Sequence, residues 1–219
     1  MEFAAARRIM VDNQIRTYDV THQAILSAFE TVPREIFVMP EQRVVAYGDL
    51  PLTVTAGQAG RVLLPPLVLA RMMQAAGLKA DDNVLLVGGG TGYAAAIVAA
   101  VGAEATLLED SEAMAEAARK ALAAAGAEHV NVLVGDFTHG PDGARPYSLV
   151  FVEGAVESVP EALAAQLADE GRLICVIGKG RAGRVTLYVK HDGRLSGKAV
   201  FDAAAPLLAE FRREPGFVF

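Results

Sequence analysis

The 219-residue sequence lacks several features that define large classes of protein. It contains a single cysteine, Cys175, so no disulfide can form within the chain. Its formal net charge is -6, which argues against binding to the phosphates of nucleic acids or anionic membranes. No apolar run approaches the roughly 20 residues of a membrane-spanning helix. The amino terminus is interrupted by Arg7, Arg8 and Asp12, unlike a signal peptide. We therefore expect a cytoplasmic protein with no nucleic-acid or membrane partner.

Metal ligands are equally scarce. Cys175 lies in an apolar segment, residues 173–177, that is typical of a buried strand, so we interpret it as an inert core thiol. The histidines show no spacing typical of metal ligands, and we expect no metal ion. The four histidines are His22, His129, His139 and His191.

The composition favours a packed globular fold. Hydrophobic residues make up 53% of the chain and charged residues 21%, which is enough apolar material to offset the entropy of ordering. The length suits one structural domain overall. We expect an N-terminal helical and substrate-loop extension in residues 1–80 and a Rossmann-like, ligand-binding core in residues 81–219.

The second part of the chain alternates between strand and helix patterns. Short connections between alternating strands and helices predict right-handed βαβ units and a doubly wound α/β fold. Near the end, residues 185–190 alternate apolar and polar side chains, and Asp192-Gly193 is a hairpin-turn sequence. The sheet is therefore mostly parallel and ends in an antiparallel hairpin. The seven predicted strands cover residues 84–87, 105–108, 130–134, 149–152, 173–177, 185–190 and 198–201, and the helices between them cover 93–101, 111–125 and 160–167.

The most informative segment is a glycine-dense turn between the first strand and its helix. The sequence after Val87 is Gly88-Gly89-Gly90-Thr91-Gly92. Glycines allow positive φ and let a ligand approach the backbone, and ligands of doubly wound sheets bind at the carboxyl ends of the strands. The spacing is G-x-G-x-G, which differs from the G-x-G-x-x-G of dinucleotide-binding proteins.

Polar side chains at the next two strand ends extend this site. Glu109 ends the second strand, beside Asp110, and its carboxylate is suited to accept both ribose hydroxyls of an adenosyl ligand. Asp136 follows the third strand and is suited to accept from an adenine amino group, with Phe137 against the ring. Other interpretations stay open, because Glu109 can be a solvated or helix-capping carboxylate and Asp136 can cap a turn. The predicted cofactor-binding residues are Gly88, Gly89, Gly90, Gly92, Glu109, Asp110, Asp136 and Phe137.

The sequence resembles the protein-L-isoaspartate O-methyltransferase family along most of its length. The most specific strings are Val32-Pro33-Arg34 with Phe37-Val38 and Tyr47-Gly48-Asp49-Leu50-Pro51-Leu52. Further similar segments are Asn13–Arg16, Gly57-Gln58, the glycine turn with Tyr93, Gly135-Asp136, Pro146–Ser148 and Gly171–Leu173.

The resemblance implies an enzyme that repairs damaged proteins. Members of this family transfer a methyl group from S-adenosylmethionine to the free α-carboxylate of an L-isoaspartyl residue, and S-adenosylhomocysteine is the product. The implied partners are isoaspartyl-containing proteins or peptides, no metal is needed, and the oligomeric state stays open. Residues expected near the substrate are Asp49, Gln58, Arg61 and Glu153.

Three departures from the family pattern bear on activity. The family's Thr-Ile-Ser-Gln-Pro run, which carries an active-site serine, is replaced by residues 59–66 without serine or threonine, so we assign no catalytic residue. Leu86 stands where the family has a first-strand glutamate. Glu153-Gly154-Ala155 stands where the family tends to have Thr-Ala-Ala, and the charge of Glu153 would repel a substrate carboxylate. Arg61 is suited to contact a carboxylate, although a solvated loop arginine is the alternative.

These departures leave three functions to compare. The first is an isoaspartyl carboxyl methyltransferase, with reduced activity. The second is a class I methyltransferase with a different acceptor, and the third is a non-catalytic adenosyl-binding module. A dehydrogenase is disfavoured by the glycine spacing.

Overall fold

A computed structural model describes residues 2–54, 61–143, 146–178 and 182–212. Within these residues, seven strands form one sheet in the order β5-β4-β3-β6-β7-β8-β9. The first five strands of that order are parallel, and β8 and β9 are antiparallel to their neighbours. The predicted doubly wound, mostly parallel sheet with an antiparallel end is confirmed. Its strands are β3 (Asn83–Val87), β4 (Glu104–Glu109), β5 (Asn131–Val134), β6 (Tyr147–Val156), β7 (Leu167–Ile177), β8 (Arg184–His191) and β9 (Arg194–Asp202).

Helices cover both faces of the sheet and form the N-terminal extension. The start of α5 is fixed by Ser111, whose Oγ accepts a hydrogen bond from the N–H of Met114 at 3.4 Å, an N-cap contact. None of the helices in the described part of the chain has the length and apolarity to cross a membrane. The α-helices are α1 (Phe3–Met10), α2 (Gln23–Thr31), α3 (Pro66–Ala75), α4 (Tyr93–Val101), α5 (Glu112–Ala124) and α6 (Glu161–Ala165).

The terminal hairpin forms as its turn sequence predicts. His191 pairs with Arg194, which leaves Asp192 and Gly193 as the two turn residues. Their φ angles are 49° and 74°, and positive φ at both positions is what a type I′ turn requires. The hairpin therefore follows from two residues of sequence.

Several elements differ from the sequence-based expectation, and strands β6 and β7 are each longer than predicted. Helix α6 ends at Ala165, because Leu167 already pairs with Tyr147 at the start of β7. A small antiparallel pair, β1 (Leu52–Thr53) and β2 (Val62–Leu63), was not predicted. Two-residue strands are too short to show any periodicity, so the sequence carries no signal for them.

The N-terminal extension and the sheet share one hydrophobic core. Phe29 of α2 and Phe37 pack on Tyr93 at the start of α4, with ring centroids 6.0 and 5.6 Å apart. Met10 and Phe29 of the extension belong to the same contiguous cluster as Val84 and Leu86 of β3, whereas Leu85 and Val87 belong to a second cluster. This shared core supports our proposal that the chain forms one structural domain.

Candidate functional site

The candidate site lies where the connections of the sheet reverse direction. Strand β3 pairs with β4 on one side and with β6 on the other, so the glycine turn after Val87 lies at the topological switch point. Crevices at the carboxyl ends of strands at such a point are the usual ligand sites of doubly wound folds.

The glycine turn has a backbone that only glycines adopt without strain. The φ angles are +74° at Gly88, +62° at Gly90 and +92° at Gly92, all in the left-handed region. A Cβ at Gly89 would collide with the carboxylate of Glu153, and one at Gly90 would come within 3.1 Å of Val54. The turn is therefore in close contact with side chains on two sides.

Glu109 reaches this turn from the end of β4. Its side chain is fully buried, and Oε1 accepts a hydrogen bond from the N–H of Gly90 at 2.6 Å. Burial raises the pKa of Glu109 to about 7, although Arg61 and the N–H of Gly90 both act to lower it. Glu109 is thus neither the solvated carboxylate nor the helix cap of the alternative interpretations.

Arg61 occupies the space beside Glu109. Its Nη2 donates to Glu109 Oε2, and its Nη1 donates to Asp110 Oδ2 at 3.2 Å. The guanidinium carbon lies 5.2 Å from the ring centroid of Phe137, within cation–π distance. Arg61 is only 8% exposed, so the structure excludes a solvated loop arginine. Glu109, Asp110 and Phe137, three of the predicted adenosyl-binding residues, therefore contact the side chain of Arg61.

The short β1–β2 pair positions this arginine. The backbone N–H of Val54 donates to the carbonyl of Arg61 at 3.2 Å. This hydrogen bond extends the pairing by one residue, because Val54 follows β1 and Arg61 precedes β2. Val54 covers Gly90 from the same side. The loop between these two residues, which includes Gln58, lies outside the described residues.

Glu153 closes the turn from the β6 side. Val152 is in register with Val87, which places Glu153 level with the start of the turn. The pairing of β6 with β7 is irregular between Phe151 and Ala155, and irregularities of this kind redirect side chains near ligand sites. Glu153 is 3% exposed, and among the described residues its Oε1 has no hydrogen-bond partner.

Burial raises the pKa of Glu153 to about 8, and the negative charge of Glu109 raises it further. Arg34 and Arg61 act in the opposite direction. Arg34 is fully buried under the site, where its Nε donates to the carbonyl of Ala46 at 2.9 Å and its Nη2 to that of Leu64 at 2.8 Å. Its Nη1 has no hydrogen-bond partner among the described residues. Two carboxylates and two guanidinium groups therefore interact electrostatically below and beside the glycine turn.

Asp136 and Asp49 have local hydrogen-bond roles. Asp136 Oδ1 accepts from the N–H and the Oγ1 of Thr138 at 2.7 and 2.6 Å, and Oδ2 lies 3.1 Å from Nδ1 of His139. The Thr138 hydroxyl lowers the pKa of Asp136. Asp49 Oδ1 accepts from the N–H of Leu67 at 3.3 Å, in the first turn of α3. Adenine recognition by Asp136 and substrate contact by Asp49 stay predictions.

A cavity of about 650 Å³ opens beside the ends of β4 and β5. Three of the predicted cofactor-binding residues, Asp110, Asp136 and Phe137, line this cavity, whereas Glu109 and the glycines of the turn do not. A second cavity, of about 580 Å³, lies at the opposite edge of the sheet and contacts none of the predicted site residues. The first cavity is lined by Asp110, Ser111, Gly135, Asp136, Phe137, Thr138 and Glu210.

Comparison with known proteins identifies the family. Residues 5–204 match the family model described as protein-L-isoaspartate(D-aspartate) O-methyltransferase. The chain belongs to this family.

Curated family members show the same relation over most of their length. The protein-L-isoaspartate O-methyltransferase of Koribacter versatilis is 35% identical over 88% of this chain and 86% of its own length. That of Methylorubrum populi is 41% identical over 80% of both chains. The protein-L-isoaspartate O-methyltransferase 1 of Rhodopseudomonas palustris is 36% identical over 97% of this chain and 83% of its own.

Solved structures support the family fold. A protein-L-isoaspartate O-methyltransferase structure superposes with a TM-score of 0.82 at 29% identity, covering 92% of this chain and 66% of the other. A candidate protein-L-isoaspartate O-methyltransferase of Plasmodium falciparum, in complex with S-adenosyl-L-homocysteine, superposes with a TM-score of 0.78 at 16% identity, over 93% of this chain and 98% of the other. At that identity the second likeness shows the fold alone.

For this family member, sequence reasoning found the acids of the site and missed their partners. It placed Glu109 at the end of the second strand, as observed, and Glu153 just after the fourth strand, whereas β6 continues through Glu153 to Val156. It gave no role to Arg34, which was quoted only as part of a motif, or to Val54. No local pattern distinguishes these two residues, because both reach the site through long-range packing. In the part of the chain that the structure describes, no group of three or more acidic, histidine or cysteine side chains is arranged to hold a metal ion.

Proposed function

We propose that this chain transfers the methyl group of S-adenosylmethionine to the α-carboxylate of L-isoaspartyl residues in damaged proteins or peptides. The observation that carries the proposal is the family match over residues 5–204, joined to a glycine turn and a buried acid at neighbouring strand ends. Isoaspartyl partners and a cytoplasmic location stay part of this proposal.

The residues present fit an adenosyl cofactor. A side chain at Gly88, Gly90 or Gly92 would meet close contacts and a strained backbone. Because these positions carry no side chains, a ligand can approach the backbone of the turn. Glu109 presents a buried acceptor oxygen, Oε2, that now receives the guanidinium of Arg61. The same oxygen is suited to ribose hydroxyls once Arg61 moves aside. Phe137 and the adjoining cavity would hold the adenine end.

The methyl transfer requires little from the side chains except that they position the methyl donor and the acceptor carboxylate. S-adenosylmethionine, when bound, supplies a methyl group on a positively charged sulfur. A peptide carboxylate is already ionised at pH 7 because its reference pKa is near 3.5, so no general base is required. The chain's own contribution is to orient two groups and to exclude water, which is the source of large effective concentrations. The buried glycine turn and the side chains packed on it serve this role.

The proposal is tested by single-turnover transfer of labelled methyl to an isoaspartyl peptide, with the matching aspartyl peptide as the reference substrate. Selective labelling of the isoaspartyl peptide supports the proposal. Absence of labelling at high protein and peptide concentrations would remove it.

A pair of glycine substitutions links the activity to the turn. Gly90→Ala adds a methyl group beside Val54 at a position with φ +62°, and we expect it to abolish labelling. Gly126→Ala is the matched control, because its φ is +73° and no atom lies within 4 Å of the added methyl. Equal labelling by both variants would show that the turn is not the cofactor site.

Two alternatives are outcomes of the same experiment. The buried carboxylates of Glu109 and Glu153 would repel an anionic acceptor, which favours a different acceptor. Cofactor binding and labelling of another acceptor, without labelling of the isoaspartyl peptide, would establish that alternative. Cofactor binding without any labelling would establish a non-catalytic adenosyl-binding module, which the contact between Arg61 and Glu109 favours.

A further inference from the structure

Glu153 is a buried acid, and the free energy that its burial costs the folded protein needs an explanation. It is 3% exposed, and among the described residues its Oε1 makes no hydrogen bond. A carboxyl group in this condition is unfavourable to bury, and groups of this kind are concentrated at functional sites. Because Glu153 is almost fully buried, exposure to solvent does not explain why an acidic residue stands at this position.

The position of Glu153 is set by the backbone on both sides. The irregular segment of β6 places its carboxylate directly against Gly89, where any side chain would collide with Oε1. The carboxylate therefore lies within a few ångströms of the backbone of the glycine turn. Electrostatic interactions act over such distances in a buried site, because little water is present to screen them.

The charges around Glu153 come from three other elements. Glu109 faces it from the end of β4, Arg34 from the turn after α2, and Arg61 from the start of β2. Arg34 is held by two backbone carbonyls, whereas Arg61 is held by Glu109 and Asp110. If an adenosyl ligand displaces Arg61 from Glu109, the two carboxylates lose one of their two neighbouring cations. The site then favours a ligand that brings its own positive charge.

We infer that Glu153 is a specificity-determining residue that makes the cofactor pocket prefer the cationic sulfonium ligand over the neutral thioether product. The inference rests on the proposed function, since it concerns S-adenosylmethionine and S-adenosylhomocysteine. The two ligands differ by one methyl group and one positive charge. A buried carboxylate beside the turn discriminates between them through the charge, and this preference would limit inhibition by the product.

The test is a direct measurement of binding by calorimetry with the full chain. The ligands are S-adenosylmethionine, S-adenosylhomocysteine and an analogue that carries a protonated amine in place of the sulfonium. Glu153→Gln keeps the shape of the side chain and removes its charge. We expect the Kd of both cationic ligands to rise about tenfold, while the Kd of S-adenosylhomocysteine changes less than about twofold.

Glu157→Gln is the matched control, because it removes a carboxylate four residues further along the same segment. It should leave all three Kd values unchanged. Equal shifts for cationic and neutral ligands in Glu153→Gln would show that Glu153 has a structural role only and would overturn the inference. Failure of every ligand to bind the wild-type protein would instead remove the proposed function.

A second readout uses the unaltered protein. Burial raises the pKa of Glu153 to about 8, so part of the population is protonated at neutral pH. A nearby cation favours the charged form, and binding of S-adenosylmethionine should therefore release protons. Calorimetry near pH 7.5 in two buffers of different ionisation enthalpy measures this release. We expect more protons released with S-adenosylmethionine than with S-adenosylhomocysteine, and equal release would contradict the inference.

Discussion

Two buried clusters of acids and arginines lie at opposite edges of the same sheet. In the amino-edge cluster, Asp82 accepts from Arg172, from Ser148 Oγ at 2.7 Å and from the N–H of Lys79 at 3.0 Å. Arg172 also donates to two backbone carbonyls at the end of α3. The carboxyl-edge cluster consists of Glu109, Glu153, Arg34 and Arg61.

The two clusters differ in how completely their polar atoms are satisfied. No atom of Asp82 or Arg172 is among the buried atoms without a partner, whereas Arg34 Nη1 and Glu153 Oε1 are. A satisfied buried network stabilises one arrangement of the chain, while unsatisfied buried groups are the exception in folded proteins and need an explanation. We therefore propose that the amino edge serves the stability of the fold and that the carboxyl edge serves a ligand.

The largest expected effect is the loss of stability on breaking the amino-edge cluster. Asp82→Ala leaves the mostly buried guanidinium of Arg172 without its carboxylate, and removing one partner of such a pair costs about 3 kcal/mol or more. At pH 5, Glu153→Gln should change the free energy of unfolding by less than about 1 kcal/mol, because the pKa of about 8 keeps the Glu153 side chain neutral in the folded protein at that pH. Urea unfolding measures both values. Similar losses in the two variants would mean that the clusters do not differ in role.

The next effect is the loss of adenosyl binding in Glu109→Gln. The variant keeps an acceptor for the N–H of Gly90 and removes the charge that strengthens hydrogen bonds from ribose hydroxyls. Hydrogen bonds to charged groups contribute about 1.5–3 kcal/mol, so we expect the Kd of S-adenosylhomocysteine to rise about 10- to 100-fold. Glu112→Gln, at an exposed position at the start of α5, is the control. An unchanged Kd in Glu109→Gln would exclude Glu109 from the ligand site.

The carboxyl-edge cluster should make the stability of the protein depend on pH. The folded-state pKa of Glu153 is about 8, above its ordinary value of 4.5, so the folded protein binds more protons than the unfolded chain between these values. This contribution is complete below pH 4.5 and is lost as the pH rises through about 8. We expect the free energy of unfolding to fall by on the order of 2 kcal/mol from pH 6.5 to pH 8.5.

The variant Glu153→Gln isolates this contribution. It should show a smaller decrease over the same range, leaving the part that comes from Glu109, whose pKa is also raised. Urea unfolding at several pH values makes the comparison. Identical pH profiles for the variant and the wild-type protein would contradict a shifted Glu153.

The smallest effect is a gain of affinity on removing Arg61. Its guanidinium competes for Glu109 Oε2 and for Asp110, and a ligand must overcome that closed arrangement before it binds. We expect the Kd of S-adenosylhomocysteine to fall about fivefold in Arg61→Ala. Arg119→Ala removes a surface arginine paired with Glu112 and should have no effect. Weaker binding in Arg61→Ala would show that Arg61 contacts the ligand.

Much of the fold and the outline of the site follow from local sequence. The apolar run of Val84–Val87 indicates a strand covered on both faces, and Asp192-Gly193 indicates the final hairpin. The glycine spacing and Glu109 predict a ligand site at two strand ends, and the structure brings the two together through the hydrogen bond from Gly90 to Glu109. These features succeed because hydrophobic periodicity, turn chemistry and strand ends are properties of contiguous residues.

The same reasoning could not establish what surrounds these acids. The sequence left two positions open for the Arg61 side chain, one in contact with a carboxylate and one in solvent. The pairing of β1 with β2 places Arg61 against Glu109 and Phe137. The sequence left Asp136 open between adenine recognition and a turn cap, and its side chain contacts Thr138 and His139 in a local turn. Such outcomes depend on competition between partners that are distant in sequence.

By itself, then, the sequence determined the doubly wound sheet, its family and the strand end that bears Glu109, because each depends on a pattern within a few residues. Only the tertiary structure decided that Arg61 lies on Glu109 and Phe137, and that Glu153 is buried against Gly89. The physical reason is that burial, pKa and the choice of hydrogen-bond partner are set by the packing of segments far apart in the chain.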